Sequence, residues 1–541
     1  MSEKKLINLT IDDQSVQVPE GTFILEAAKT LGIRIPHYCY HHGLSCVGSC
    51  RLCLVEIEKS PKLQPSCATP VAEGMVVRTR TPEALKNRRY VLEFLLANHP
   101  LDCPVCDQAG ECELQNYYMA HGRYDARYND NKTKRKKAYP IGPYIILDQE
   151  RCILCTRCVR FTQEISKSFE LGVIDRGHRS VIDVFPGKEL DNPYSGNVGD
   201  VCPVGAMTDR DFRFKCRVWF LGSTDSICPG CSRGCNIRIQ YNNRFNPRYH
   251  KERVQRIKPR HNKEVNGYWI CDEGRYAYHA IDASNRLKAL PAKESESSAE
   301  ASWEQTLQDA AKSIKEAISQ KGPEGIAVLA SPQMTNEELF GIRQLFKDKL
   351  KIENIEFRVP HKGEVFSDEF LITADKNPNS KGAEIFFPEG PGSEKLLQAC
   401  ADGSIQLLYI FHHDLTTGYD PEFVRAALEN VPKVIFQGTW NNPTAELAAL
   451  KLPAAAYAEK EGTFTNTQGR VQRIHPAVEP IGSSLPDLDI LAQLATELGA
   501  SLKQSPEAVF GEIAQKVDAF SGMTYASIGN RGQILNQEPG K

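Results

Sequence analysis

The chain has 541 residues, 41% hydrophobic, 25% charged and 8% aromatic, a composition that excludes a disordered, collagenous or coiled-coil protein. At this length several domains are expected rather than one core. With 66 Lys and Arg against 68 Asp and Glu, the formal net charge is −2, so no basic excess draws in nucleic acid or an anionic membrane surface. No apolar run approaches the roughly 18 residues a membrane span needs, and the start lacks the apolar core of a signal peptide. A cytoplasmic location is expected. In that compartment the 18 cysteines point to metal rather than to disulfides. All but Cys400 lie before residue 272, so metal chemistry belongs to the first half of the chain.

In chain order, residues 6–18 alternate as a hairpin, with Ile7, Leu9 and Ile11 against Asn8, Thr10 and Asp12 and a turn at Asp13-Gln14. A short helix is predicted from Thr22, carrying Ile24, Ala27, Ala28 and Leu31 on one face, with Gly32 as its left-handed cap. Hairpin, helix and Cys-rich loop fit a small α+β ferredoxin-type domain. A second helix is predicted over 82–97, capped by Thr81 with Pro82 in its first turn, Leu85, Leu92, Leu95 and Leu96 apolar, and its end at Asn98-His99-Pro100. Residues 131–140 form a basic loop, read as a solvated linker rather than a nucleic-acid site. A polar linker at 290–302 marks a domain boundary. Beyond it, short apolar strands at 325–330, 405–411 and 434–436 alternate with helical stretches such as 303–319. That pattern predicts an α/β layer on a largely parallel sheet.

Four ligand constellations stand out. Cys39, Cys50, Cys53 and Cys67 suit a [2Fe–2S] cluster, with Gly43 and Gly48 allowing backbone N–H groups close to sulfur. Cys46 offers an alternative ligand there, and spacing alone leaves zinc open. His99, Cys103, Cys106 and Cys112 combine one imidazole with three thiols, suited to a [4Fe–4S] cluster or zinc. Cys152, Cys155 and Cys158 form a ferredoxin-like triad completed at a distance by Cys202-Pro203, which implies one [4Fe–4S] cluster. Cys228, Cys231 and Cys235 are joined by the distant Cys271. Cys46, Cys216 and Cys400 are left over, and their default reading is small buried hydrophobes. Four complete sets on one chain indicate electron transfer.

These residues resemble the large iron–sulfur subunit of NADH-quinone oxidoreductase (respiratory complex I). The resemblance is carried by the 39–56 stretch, the His99 set, and Cys152-Ile-Leu-Cys-Thr-Arg-Cys-Val-Arg160. It continues in Asp211-Phe-Arg-Phe-Lys-Cys-Arg-Val-Trp219, the Cys228 set, 374–379, and 458–472, the last of a kind found in molybdopterin oxidoreductases. It implies a [2Fe–2S] cluster on Cys39, Cys50, Cys53 and Cys67. It further implies [4Fe–4S] clusters on His99/Cys103/Cys106/Cys112, Cys152/Cys155/Cys158/Cys202 and Cys228/Cys231/Cys235/Cys271, the last found in only some members. The implied architecture is α+β ferredoxin-like iron–sulfur domains followed by a shortened α/β molybdopterin oxidoreductase-like domain. Its expected divisions are 1–80 ([2Fe–2S], β-grasp), 81–145, 146–220 and 221–290 (one [4Fe–4S] cluster each) and 291–541 (degenerate cofactor domain). Only 270 residues follow Cys271, fewer than in many members.

The implied function is an electron-transfer subunit of a complex I-type translocase with no catalytic site of its own. Electrons would come from the NADH/flavin-binding subunit and leave toward quinone-side iron–sulfur subunits and the membrane arm. The chain would lie peripherally on the cytoplasmic face of the inner (plasma) membrane. No Gly-x-Gly-x-x-Gly turn is present, so flavin and NAD are expected on another chain, and no molybdopterin is expected, because Cys400 is the only thiol in the large domain and has no supporting motif. The alternatives are an iron–sulfur subunit of a soluble NAD-linked formate dehydrogenase or hydrogenase and, from a different class, a zinc-stapled scaffold.

Overall fold

The computed structural model describes residues 5–248, 250–290 and 302–536. The predicted linker at 290–302 lies, apart from its two ends, outside the described residues. The chain divides into two units, Met1–Leu221 and Gly222–Lys541.

The first unit opens with strands β1 (Leu6–Ile11) and β2 (Gln14–Pro19), paired antiparallel. The turn is Asp12-Asp13, one residue earlier than the sequence suggested. Both residues adopt φ > 0 (46° and 64°), the conformation of a two-residue hairpin loop, and Asp12 is held there because its carboxylate accepts from Thr79 N at 2.6 Å. Helix α1 (Ile24–Thr30) buries Ile24, Leu25, Ala27 and Ala28, and Gly32 beyond it takes φ 74°. Strands β3 (Leu54–Ile57), β4 (Gln64–Pro65) and β5 (Met75–Arg78) complete a sheet of order β2-β1-β5-β3-β4, in which β1 and β5 run parallel. Hairpin, helix and a mixed sheet with that parallel pair make a β-grasp arrangement. Its core includes Ile7, Leu9, Ile11, Ala27 and Val77, and also Cys53 and Cys67.

Helix α2 (Pro82–Asn98) starts where Thr81 Oγ1 accepts from Ala84 N. It buries Ala84, Arg88 and Leu92, four residues apart on one face. The basic loop is more than a solvated linker. Lys132 Nζ donates to the Leu96 and Ala97 carbonyls (2.7 and 3.0 Å), capping the end of α2 that carries His99. Lys137 pairs with Asp102 and Glu150 (3.1 and 3.0 Å), and Arg135 donates to the carbonyls of His178 and Ser180. Its charges are spent on local anchoring, which a charge count cannot reveal.

The second unit begins with a three-stranded sheet, Leu221–Ile227, Asn236–Asn242 and Val254–Pro259 in that order, the last two paired antiparallel. It is followed by the predicted parallel layer: Ile355–Glu356, Ile326–Leu329, Leu407–Phe411, Lys433–Gly438 and Leu450–Pro453, in that spatial order and all parallel. Alternate residues feed two cores. Val328, Leu407, Tyr409 and Ile435 pack with the helices Trp303–Lys321 and Asp487–Glu497; Leu329, Leu408, Ile410 and Val434 pack with Ser393–Ala401 and Pro421–Glu429. Burial on both faces explains why these strands read as continuous apolar runs.

Candidate metal centres

The structure brings the members of each predicted set together. Among the described residues, no three His, Cys, Asp or Glu side chains close on one point as around a single ion; the sets instead lie as separate nests.

In the first nest, the Cys39 thiol is within hydrogen-bonding range of Cys50 and Cys67, and Cys53 is within range of Cys67. Hydrogen bonding from Cys50 holds Cys39 well below the ordinary thiol range, and Cys67 does the same for Cys53, lowering it to about 7. The reciprocal effect raises Cys50 and Cys67. The loop closes on itself because Gly48 and Arg51 take left-handed φ (59° and 55°), and Tyr38 N donates to Cys50 Sγ at 3.4 Å.

The second nest joins three elements. His99 terminates α2, Cys103–Val105 form a single 3-10 turn, and Cys112 precedes α3 (Glu113–His121). His99, Cys103 and Cys112 line one cavity of about 370 Å³ with Leu92, Leu96 and Tyr118, and burial, with a smaller push from the neighbouring Cys103 charge, raises Cys106 and Cys112. Burial lowers His99 to about 4, leaving a neutral imidazole, and its Nδ1 is buried without a hydrogen-bond partner among the described residues. Arg217, from the 211–219 motif, holds the loop by donating to the Cys106 and Pro104 carbonyls at 2.8 and 2.6 Å.

Cys152, Cys155, Cys158 and Cys202 all line one enclosed pocket. Leu154 and Thr156, the residues between the cysteines, adopt φ of 53° and 59°, and Leu154 N donates to Cys152 Sγ at 3.4 Å. Left-handed backbone at non-glycine residues is uncommon and is retained here because it turns successive thiols inward. Burial raises Cys152 to about 12 and Cys155 to about 11.

In the fourth nest, Cys228 N donates to the Cys235 carbonyl at 2.9 Å, and Cys271 starts a short helix, Asp272–Tyr276, accepting from Gly274 N at 3.3 Å. The 371–375 and 458–472 stretches clamp this loop. Ser232 N donates to the Asp375 carbonyl (2.9 Å), Thr467 N to the Ser232 carbonyl (2.8 Å), and Gln472 Nε2 to the Gly234 carbonyl (3.1 Å).

Three observations fit these nests to bulky sulfur-rich centres. A Cβ at Gly205 would stand 2.4 Å from Cys106 Sγ, and one at Gly274 only 2.8 Å from Cys228 Sγ, so backbone is pressed against the thiols. Among the described residues the hydroxyls of Tyr38 and Tyr457 are buried without hydrogen-bond partners, the first near Cys112 and Cys50, the second near Cys228. A buried orphan O–H is costly unless an acceptor completes it, and a cluster sulfur is such an acceptor. Finally, burial raises Cys152, Cys155, Cys158 and Cys202 of the third nest and Cys228, Cys235 and Cys271 of the fourth, so their thiolate forms need a cation beside them.

Within the first unit the nests are physically joined. Buried Arg160 donates to the Cys39 carbonyl at 2.5 Å and to the Cys155 carbonyl at 3.3 Å, and Arg157 donates to the Tyr40 carbonyl at 2.6 Å. Glu113 N, beside Cys112, donates to the Pro203 carbonyl at 3.0 Å, beside Cys202. One apolar cluster contains Cys39, Cys112 and Cys155 together with Tyr38, Leu92 and Val204. The bridging arginines were present in the sequence motif, but nothing in spacing alone marks an arginine as a link to a loop far away in the chain. Of the spare thiols, Cys400 is buried among Leu396 and Leu397 as expected, and Cys216 is half-buried. Cys46 is half-buried against the first nest.

Fold and sites define an iron–sulfur protein with a molybdopterin oxidoreductase-type second half. Family models match in the corresponding order: a 2Fe-2S iron-sulfur cluster binding domain at 4–82, the NADH-ubiquinone oxidoreductase-G iron-sulfur binding region at 88–127, and the ferredoxin-like domain of NADH-quinone oxidoreductase subunit 3 at 142–208. They continue with a molybdopterin oxidoreductase Fe4S4 domain at 222–283 and molybdopterin oxidoreductase at 374–497. The chain is 31% identical over 612 residues to the mitochondrial NADH-ubiquinone oxidoreductase 78 kDa subunit of Neurospora crassa, covering 92% of this chain and 81% of that one. It is 41% identical over 342 residues to the NADH-quinone oxidoreductase G subunit of Rickettsia felis, covering 63% and 49%. With the second such G subunit of Rhizobium meliloti it shares 27% over 733 residues, covering 99% and 84%. The chain belongs to the family formed by the NADH-quinone oxidoreductase G subunit and the 78 kDa subunit. Its match spans about half the length of relatives such as the Rickettsia protein.

Proposed function

We propose that the chain carries electrons through one [2Fe–2S] and three [4Fe–4S] clusters within a complex I-type NADH:quinone oxidoreductase. The [2Fe–2S] cluster is held by Cys39, Cys50, Cys53 and Cys67. The [4Fe–4S] clusters are held by His99, Cys103, Cys106 and Cys112; by Cys152, Cys155, Cys158 and Cys202; and by Cys228, Cys231, Cys235 and Cys271. The clusters supply one-electron redox chemistry when bound. The chain's own residues do the rest: buried Arg151, Arg157 and Arg160 offset negative charge, Leu92 and Val204 exclude water, and Gly205 and Gly274 admit the thiols at close range.

The observation that carries this reading is the Arg160 bridge between the Cys39 and Cys155 backbones, with the second nest tied to the third through Glu113 and Pro203. Three separate structural staples have no need of a shared core; centres that exchange electrons do. The five-part domain division is part of the same reading. Electrons enter from an NADH/flavin-binding subunit and leave toward quinone-side iron–sulfur subunits and the membrane arm. Among the described residues no helix is long and apolar enough to cross a membrane, and attachment to the cytoplasmic face of the inner membrane is through those partners.

The test is anaerobic purification of the chain with its native partners, followed by NADH titration monitored by EPR. Reduction of clusters within a flavin- and quinone-reactive assembly is expected. Copurification with a formate dehydrogenase or hydrogenase catalytic subunit, and no quinone reactivity, would replace this reading with the soluble alternative.

A further inference from the structure

The first nest holds five thiols where a two-iron cluster takes four. Cys46 Sγ lies 3.7 Å from Cys67 Sγ, and its S–H points at the Cys67 carbonyl, 3.1 Å away. In a tetrahedral thiolate site with metal–sulfur bonds of about 2.3 Å, two ligand sulfurs stand about 3.8 Å apart. Cys46 therefore stands at the spacing of a neighbouring ligand, not of a core residue that happens to be nearby.

The backbone fixes it there. On one side Ser45 N donates to Glu164 at 2.8 Å, and its carbonyl accepts from Arg160. On the other side Gly48, at φ 59°, turns the chain beside Ala68, the residue after Cys67, so that a Cβ there would meet Ala68 Cβ at 3.8 Å. The loop is thus held at Ser45 and turned back beside the Cys67 loop at Gly48. A single χ1 rotamer change moves a cysteine sulfur by about 3 Å, most of the distance to the Cys67 sulfur position.

We propose that Cys46 is a reserve ligand of the two-iron site, able to take the Cys67 position on its iron. The inference rests on the assignment of that cluster to Cys39, Cys50, Cys53 and Cys67. The exchange balances without an oxidant: the Cys67 S–Fe bond breaks, the Cys46 S–Fe bond forms, and the Cys46 thiol proton passes to the released Cys67 thiolate. No electron changes hands. An oxidised or alkylated Cys67 would then leave the cluster in place.

The test uses the full chain with its partners and three variants, Cys46→Ala, Cys67→Ala and the double variant, read by EPR of the reduced protein, visible circular dichroism and iron content. The [4Fe–4S] signals in each sample report whether the unit has folded. Cys46→Ala is expected to keep the wild-type [2Fe–2S] spectrum. Cys67→Ala is expected to keep the cluster at wild-type occupancy with shifted g values, and the double variant to lose it, with iron falling by about two atoms per chain. Loss of the cluster in Cys67→Ala alone, with Cys46→Ala intact, overturns the reserve role but leaves the four-cysteine assignment standing. Retention in the double variant overturns that assignment as well, and loss in Cys46→Ala makes Cys46 the resident ligand and overturns both. Should the double variant fail to fold, Cys46→Ser in the Cys67→Ala background decides. An oxygen-ligated cluster with a blue-shifted spectrum is expected, and a spectrum identical to that of Cys67→Ala refutes the exchange.

Discussion

The two units of the chain stabilise themselves in different ways. In Met1–Leu221 several cysteines are core residues: Cys53 and Cys67 pack with the β-grasp interior, and Cys39, Cys112 and Cys155 sit in a second apolar cluster. In Gly222–Lys541 the main core is aliphatic and aromatic, packs on one face of a parallel sheet, and contains no cysteine. The first unit has replaced part of its hydrophobic interior with metal-binding volume. Its folding should follow its clusters, whereas the parallel layer should fold on apolar burial alone.

The largest effect that could break this contrast is removal of iron. Anaerobic chelation is expected to abolish hydrogen-exchange protection around Tyr38, Leu92 and Val204 while leaving the strands Ile326–Leu329 and Leu407–Phe411 protected. Equal loss in both regions would erase the distinction. Next, Gly205→Ala forces a methyl group against Cys106 Sγ and is expected to remove the His99-associated cluster, about four iron atoms per chain, with the Cys228 cluster's signal unchanged. The converse substitution is Leu491→Ala in the cysteine-free core, where Leu491 is fully buried. It should cost about 3–5 kcal/mol, seen as a lower denaturation midpoint of the second unit with no change in the signals of the first three clusters.

The smallest effect concerns a buried carboxyl of the second unit. Glu337 accepts from Thr463 N at 2.8 Å and from Tyr525 OH at 3.0 Å, and burial raises it from 4.5 to about 7. Because the folded value lies above the unfolded one, the stabilisation is fully present below about pH 4.5 and is lost as pH rises through about 7. Glu337→Gln should flatten this slope between pH 5 and 8 in thermal unfolding of the second unit. An unchanged slope would assign the pH dependence to other groups, the buried Lys460–Asp487–Glu338 cluster first among them.

Much of this organisation is legible in the sequence, and for identifiable reasons. Cysteine spacing within a few residues reflects local loop geometry, so the four groups could be read as groups. Alternating and continuous apolar runs likewise foretold the hairpin and the parallel layer. What escaped were interactions decided elsewhere in the chain. Arg160 reads as an ordinary basic residue until the Cys39 loop arrives beside it, and the charges at Lys132, Arg135 and Lys137 look solvated until the carbonyls and carboxylates they meet are placed. The left-handed backbone at Leu154 and Thr156 gives no signal because neither residue type favours it. The 458–472 stretch shows its role only as a clamp on the Cys228 loop.

The central expectation is that the four nests are redox clusters and that the three in the first unit share one interior rather than acting as separate staples. Iron and acid-labile sulfide analysis of the anaerobically purified chain, combined with EPR during stepwise reduction, addresses it most directly. The account predicts one [2Fe–2S] and three [4Fe–4S] clusters per chain, with magnetic coupling among the first three that weakens in Arg160→Leu. Stoichiometric zinc without sulfide, or cluster signals that stay independent in both proteins, would contradict it.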